Sequence, residues 1–183
     1  MGMRKTSEAG FTLIELLIVV AVIGILAAVA VPGLLRARES GNEASAIGSL
    51  RVIISGEHAY MSSCGNGYYA SSLLILADPA PIGAAFISPD LGSAAVVDKS
   101  GYRLAMGQGS EAVAATQNGC NPMGVAANLF TSYYATNSPL ITGQSGSRWF
   151  WTNTAGAIYT APASVFATVT IGNAAPGVGA PLQ

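Results

Sequence analysis

The sequence predicts an α+β fold. One long amino-terminal α-helix packs its second half against a carboxy-terminal antiparallel β-sheet, and its first half is left for lipid or for other copies of the chain to cover. Three observations carry this. Residues 11–35 are apolar apart from Glu15, residues 36–63 continue with helical periodicity, and the rest is a series of short alternating segments punctuated by Gly, Pro and Asn. The 183 residues suffice for one domain and an appendage. With 8 basic and 9 acidic residues, a net charge of -1 and only 9% charged residues, the chain has no basic patch for nucleic acid. A mean hydropathy of +0.47 rules out a solvated disordered chain. Because its apolar residues are concentrated in one run, the composition describes one anchor and one exported domain.

The run 11–35 is long enough to span a bilayer, which takes about 20 apolar residues. Arg4 and Lys5 precede it and Arg36 and Arg38 follow it, so positive charge decides orientation only weakly. A secretory signal peptide would have an apolar core of roughly 7–15 residues and a small-residue cleavage site, and this run is too long. Glu15 stands inside it, where a carboxylate costs on the order of 2.5–3.5 kcal/mol. Two readings are open. Glu15 lies near one membrane face and reaches water, or it meets a cation of another subunit. The Phe11 amino group becomes the nearest such cation if the leader is removed after Gly10.

Beyond Pro32, residues Ala46, Ile47, Leu50, Ile53, Ile54, Tyr60 and Met61 recur at three- and four-residue steps, with Ser45, Ser49, Arg51, Ser55 and Ser62 between them. Gly65, Asn66 and Gly67 supply a stop. A helix from Phe11 to about Ser62 is roughly 78 Å long at 1.5 Å per residue, more than so small a domain covers. Strands are expected at 102–106, 129–135, 148–152, 157–160 and 165–171. The pair 148–152 and 157–160 forms a hairpin around Gly156. Segments 77–89 and 138–147 read as loops, and 174–183 as an irregular tail.

Cys64 and Cys120 are an even pair in an exported domain, which fits one bridge, with two buried free thiols as the alternative. Little else suggests chemistry. His58 stands alone on the helix as a surface or partly buried residue, so a Ser or Cys nucleophile would have no other histidine base. Gly107-Gln108-Gly109 lacks the context of a phosphate loop, and zinc spacing is absent. Asp78, Asp90 and Asp98 are too scattered for a calcium loop. No enzyme activity, cofactor or metal is expected. The clustered aromatics Tyr133, Tyr134, Trp149, Phe150 and Trp151 read as packing residues.

Gly10-Phe11-Thr12-Leu13-Ile14-Glu15-Leu16, after a short basic leader and before the apolar run, resembles the class III-like signal of type IV prepilins and the related pseudopilins of type II secretion. The resemblance covers roughly the first third of the chain. It implies that residues 1–10 are a leader, that a prepilin peptidase cuts between Gly10 and Phe11 on the cytoplasmic face, and that the new Phe11 amine is methylated. Segment 11–35 is then the membrane and assembly helix, 36–63 its amphipathic continuation, and 64–183 the exported head. Glu15 is implied to pair with the Phe11 amine of a neighbouring subunit. Pro32 by itself predicts a modest kink, and the resemblance adds that the helix between Gly24 and Pro32 loses order in a filament. The partners implied are further copies of the chain, the peptidase and methyltransferase, the assembly platform with its ATPase, and the inner membrane before assembly. The product is a surface filament for adhesion, motility or DNA uptake, without direct nucleic-acid binding. Many major pseudopilins carry an acidic calcium loop near the carboxyl end, whereas this chain has no acidic side chain after Glu111, which favours a pilus subunit. A major pseudopilin, a minor pilin or an uncleaved membrane-anchored binding domain are the alternatives.

Overall fold

A computed structural model describes residues 10–81, 83–110, 112–161 and 180–182. The chain divides into two compact units between Ala37 and Arg38. Helix α1 (Leu13–Ser63) begins in the first and ends in the second, and runs through Gly24 and Pro32 without interruption. In the second unit α1 buries Glu43, Ala46, Ser49, Leu50, Ile53, Gly56, Glu57 and Tyr60. This is the expected three- and four-residue stripe, shifted to include two carboxylates and Ser49, which the periodicity had assigned to the polar side. At its end Cys64 N–H and Gly65 N–H both donate to the Tyr60 carbonyl. Asn66 (φ 52) and Gly67 (φ 88) then turn left-handed, as the Gly-Asn-Gly stop required.

The head holds two antiparallel sheets. The smaller pairs β1 (Tyr69–Ala70) with β4 (Leu129–Phe130). The larger follows the order β2-β3-β5-β6-β7-β8, from β2 (Val96–Lys99), β3 (Tyr102–Gln108), β5 (Tyr133–Pro139), β6 (Trp149–Asn153), β7 (Ile158–Ala161) and β8 (Ala180–Pro181). The predicted hairpin is present: Thr152 pairs with Ile158, and Gly156 takes the positive φ of 74. Ser100 (φ 48) and Gly101 (φ 74) close a second, two-residue hairpin between β2 and β3, matching the doubly left-handed turn that suits strand twist.

Several boundaries differ from expectation. The single strand expected at 129–135 is two: Leu129 and Phe130 pair with β1, and after Thr131 and Ser132 the chain joins β3 in the other sheet. Strand β5 then runs to Pro139, into the expected loop, where Pro139 ends the register opposite Tyr102 and the Leu140 N–H donates to the Gly101 carbonyl. Strand β2 had no signal because Asp98 and Lys99 read as loop residues. Helix α2 (Leu73–Ala77) is too short to show a period. In the tail expected to be irregular, Ala180 and Pro181 pair with Thr160 and Tyr159 at a sheet edge, which tolerates proline. The strand expected at 165–171 lies outside the described residues.

The core joins Leu50, Ile53 and Tyr60 of α1 to Leu73 and Leu76 of α2 and to Tyr102, Leu104, Tyr133, Ala135 and Phe150 of the strands. Buried Asn side chains fasten it. Asn137 Nδ2 donates to the Ala46 carbonyl at 2.8 Å, tying sheet to helix. Asn121 donates to the Ile75 and Asp78 carbonyls at the end of α2, and its Oδ1 accepts from the Tyr60 hydroxyl. Trp151 stacks on Tyr159, its direct neighbour across β6 and β7, with ring centroids 4.1 Å apart.

Candidate functional site

Thr12 caps the start of α1. Its Oγ1 accepts the Glu15 N–H at 3.3 Å and donates to Glu15 Oε2 at 3.3 Å. Thr-x-x-Glu is the capping-box spacing; here the Thr12 hydroxyl satisfies the Glu15 amide and the Glu15 carboxylate accepts from that hydroxyl, while its negative charge suits the positive end of the helix dipole. Phe11 is 80% exposed and Leu13 83%. From there to Leu35 the helix is long and apolar enough to cross a membrane, and its large side chains, among them Ile18, Val22, Ile25 and Val29, are exposed. Leaving this surface in water is costly at about 25 cal/mol per Å², so the segment requires lipid or protein around it. A Cβ at Gly10 or Gly24 would meet nothing within 4 Å. Nothing in the single chain's own packing demands glycine at either position.

The head is fixed to the second half of α1 by groups the sequence did not advertise. Glu43 is buried. Its Oε2 accepts from Arg148 Nε at 2.9 Å and Nη2 at 2.6 Å, and its Oε1 from the Ser147 amide and hydroxyl. Burial pushes this carboxyl up, but the Arg148 and Ser147 donors outweigh it and hold it below its ordinary 4.5. Glu57 is fully buried with one donor, the Ala70 N–H at 3.1 Å, and desolvation raises its carboxyl well above the ordinary range. Both residues fall on the 43, 46, 50, 53, 57, 60 rhythm, so periodicity alone could have found them. Their charge made them read as solvent-facing.

Cys64 and Cys120 form a disulfide that ties the end of α1 to the loop after Ala115, resolving the choice between a bridge and free thiols. Cys120 N–H also donates to the Cys64 carbonyl, reinforcing the tie. The three aspartates considered for calcium stand apart, each on protein donors: Asp78 accepts the Met123 N–H, Asp90 pairs with Lys99, and Asp98 receives two bonds from Arg103. His58 is exposed and lies edge-on to Tyr69. Of the proposed functional residues, Phe11 and Glu15 are thus brought to one helix terminus, Cys64 and Cys120 are bonded, and Gly24 and Pro32 lie within an uninterrupted helix.

Residues 5–31 match the prokaryotic N-terminal methylation motif. The amino-terminal segment is similar to that of type IV pilins. Two curated relatives match part of the chain. Over 53 residues, 29% of this chain, it is 42% identical to the type IV major pilin protein of Myxococcus xanthus. Over 34 residues, 19% of this chain, it is 68% identical to the type IV wide pilus major component of Thermus thermophilus. The matches span 24% and 26% of those proteins, about a quarter of their length. No solved structure matches the chain. The long apolar helix followed by an antiparallel sheet gives the chain a pilin-like α+β architecture.

Proposed function

We propose that this chain is a structural subunit of a type IV pilus and not an enzyme. The observation that carries the reading is the exposed apolar stretch of α1, with Glu15 in its first turn just beyond Phe11 and Thr12 capping that turn. Lipid covers the stretch before assembly, when a single span holds the chain in the inner membrane, and neighbouring helices cover it in the surface filament. Residues 1–10 are the leader, cut by a prepilin peptidase between Gly10 and Phe11, after which the Phe11 amine is methylated. Glu15 then pairs with the Phe11 amine of the next subunit, the pairing that makes a carboxylate tolerable among apolar helices and fixes their axial register. An assembly platform and ATPase extract the subunit from the membrane.

In the filament, the helix between Gly24 and Pro32 has little to hold it, because Pro32 removes a backbone hydrogen bond and glycine lowers helix propensity by about 1 kcal/mol. Continuous helical density there in a filament map counts against that part of the reading.

The deciding experiment is mass and amino-terminal analysis of fibres sheared from cells at native expression. A methylated Phe11 terminus abundant in the sheared fraction is the expected result. The same species confined to the envelope indicates a pseudopilin or minor pilin instead, and an intact Met1 form overturns the reading. Glu15→Ala is expected to insert and be cleaved normally but to give little sheared fibre; undiminished yield removes the pairing mechanism.

A further inference from the structure

Glu57 sits at the junction of α1, the β1–β4 sheet and β5, with none of its surface exposed. Its Oε2 accepts the Ala70 N–H, and its Oε1 has no hydrogen-bond partner. The titratable groups near enough for its charge to act on are the hydroxyls of Tyr60 from α1, Tyr69 from β1 and Tyr133 from β5, and none of them hydrogen-bonds it; that of Tyr60 donates to Asn121 Oδ1. The Tyr133 hydroxyl is likewise buried without a partner. His58, next in sequence, lies on the exposed side of the helix. Among the described residues no Lys or Arg forms an ion pair with Glu57; the ion pairs are those of Asp90, Asp98 and Glu43.

We propose that Glu57 folds as the neutral acid, so that the head takes up a proton from solvent when it folds and loses stability as its medium turns alkaline. A carboxylate moved out of water needs an opposite charge or several donors, and here one amide is all it receives. The neutral acid needs less. Oε2 keeps the Ala70 bond, and the proton sits on Oε1, the oxygen without a partner. Desolvation, with no cation to oppose it, raises the folded carboxyl well above 4.5.

The sign follows from linkage. Below the unfolded carboxyl's midpoint both states hold the proton and Glu57 contributes its full stability. Above it only the folded state holds the proton, so stability falls with rising pH until the folded carboxyl also ionises. Glu43 acts in the opposite sense and at lower pH, so the two separate. In the exported domain the pH that matters is that of the surroundings.

The test compares the whole chain in detergent micelles, disulfide intact, with Glu57→Gln, following unfolding between pH 5 and 8 by the fluorescence of Trp149 and Trp151 in β6. The unfolding constant of the unmutated chain should rise relative to Glu57→Gln by up to about tenfold per pH unit. Parallel profiles overturn the proposal. A measurement that needs no variant is proton uptake on refolding at pH 7 in weak buffer. About one proton per chain is expected, and none overturns it. Neither result depends on whether the chain assembles.

Discussion

Glu43 and Glu57 share the buried face of α1, yet the head treats their charges in opposite ways. Glu43 faces the donors of Ser147 and Arg148 and is kept as a carboxylate; Glu57 has the Ala70 amide alone. Because the Arg148 side chain is 46% exposed, water weakens its attraction to Glu43, and the buried acceptor's lost hydrogen bonds matter more than the charge pair itself. Glu43→Ala should therefore destabilise the head by about 1–2 kcal/mol at pH 7, read as a lower urea midpoint. A depressed carboxyl contributes stability above its unfolded midpoint and loses it as pH falls through the folded one, so the gap between variant and parent should close in the window below about 4.5. A gap that stays constant from pH 7 to pH 3 contradicts the assignment.

Helix α1 shows how packing can reverse a propensity. A Cβ at Gly56 would lie 2.8 Å from Ile87 Cγ2 and 3.0 Å from the Phe86 carbonyl oxygen. That segment cannot readily retreat, since the Phe86 and Ile87 amides both donate to the Leu76 carbonyl. Alanine gains about 1 kcal/mol of helix propensity over glycine, while overpacking costs about 1–3 kcal/mol. Gly56→Ala should lower the melting temperature. Gly48, on the same helix, is exposed, and its Cβ would meet nothing within 4 Å, so Gly48→Ala should raise it. Equal shifts for the two variants would mean that α1 is not pressed against the Phe86–Ile87 backbone. Periodicity separates the two, since Gly56 lies three residues from Ile53 and four from Tyr60 on the buried stripe; the close Phe86–Ile87 backbone is what only the packing shows.

At the scale of the whole molecule, the head must hold its shape while α1 is exposed over its first turns and buried over its last. The Cys64–Cys120 bridge closes a separation of 56 residues and pins the end of α1 to a loop with little regular structure. In the chain-entropy view such a closure stabilises by up to about 4 kcal/mol. Reduction should lower the urea midpoint of the head accordingly while leaving the membrane segment's helicity intact, measured by circular dichroism in micelles. A midpoint unmoved by reductant would place the tie in the Tyr60–Asn121 hydrogen bond and the Cys120–Cys64 backbone bond instead.

The long helix, its apolar first half, its amphipathic continuation, the glycine stop and the β6–β7 hairpin were legible in the residues because each is a local pattern: a period, a cap or a turn. The signal residues at 10–16 were legible for the same reason. What only the tertiary structure decided was which partner each local piece would meet. Leu129 and Phe130 look like the start of the strand that follows, but β1 claims them for another sheet. Asp98 and Lys99 look like loop residues until β3 lies beside them. Glu43 and Glu57 stand on the same periodic face of one helix, yet one remains charged and the other takes a proton in our reading, because the donors that decide it arrive from residues 147–148 and 70. Charge and period are properties of a segment; desolvation and satisfaction belong to what packs against it.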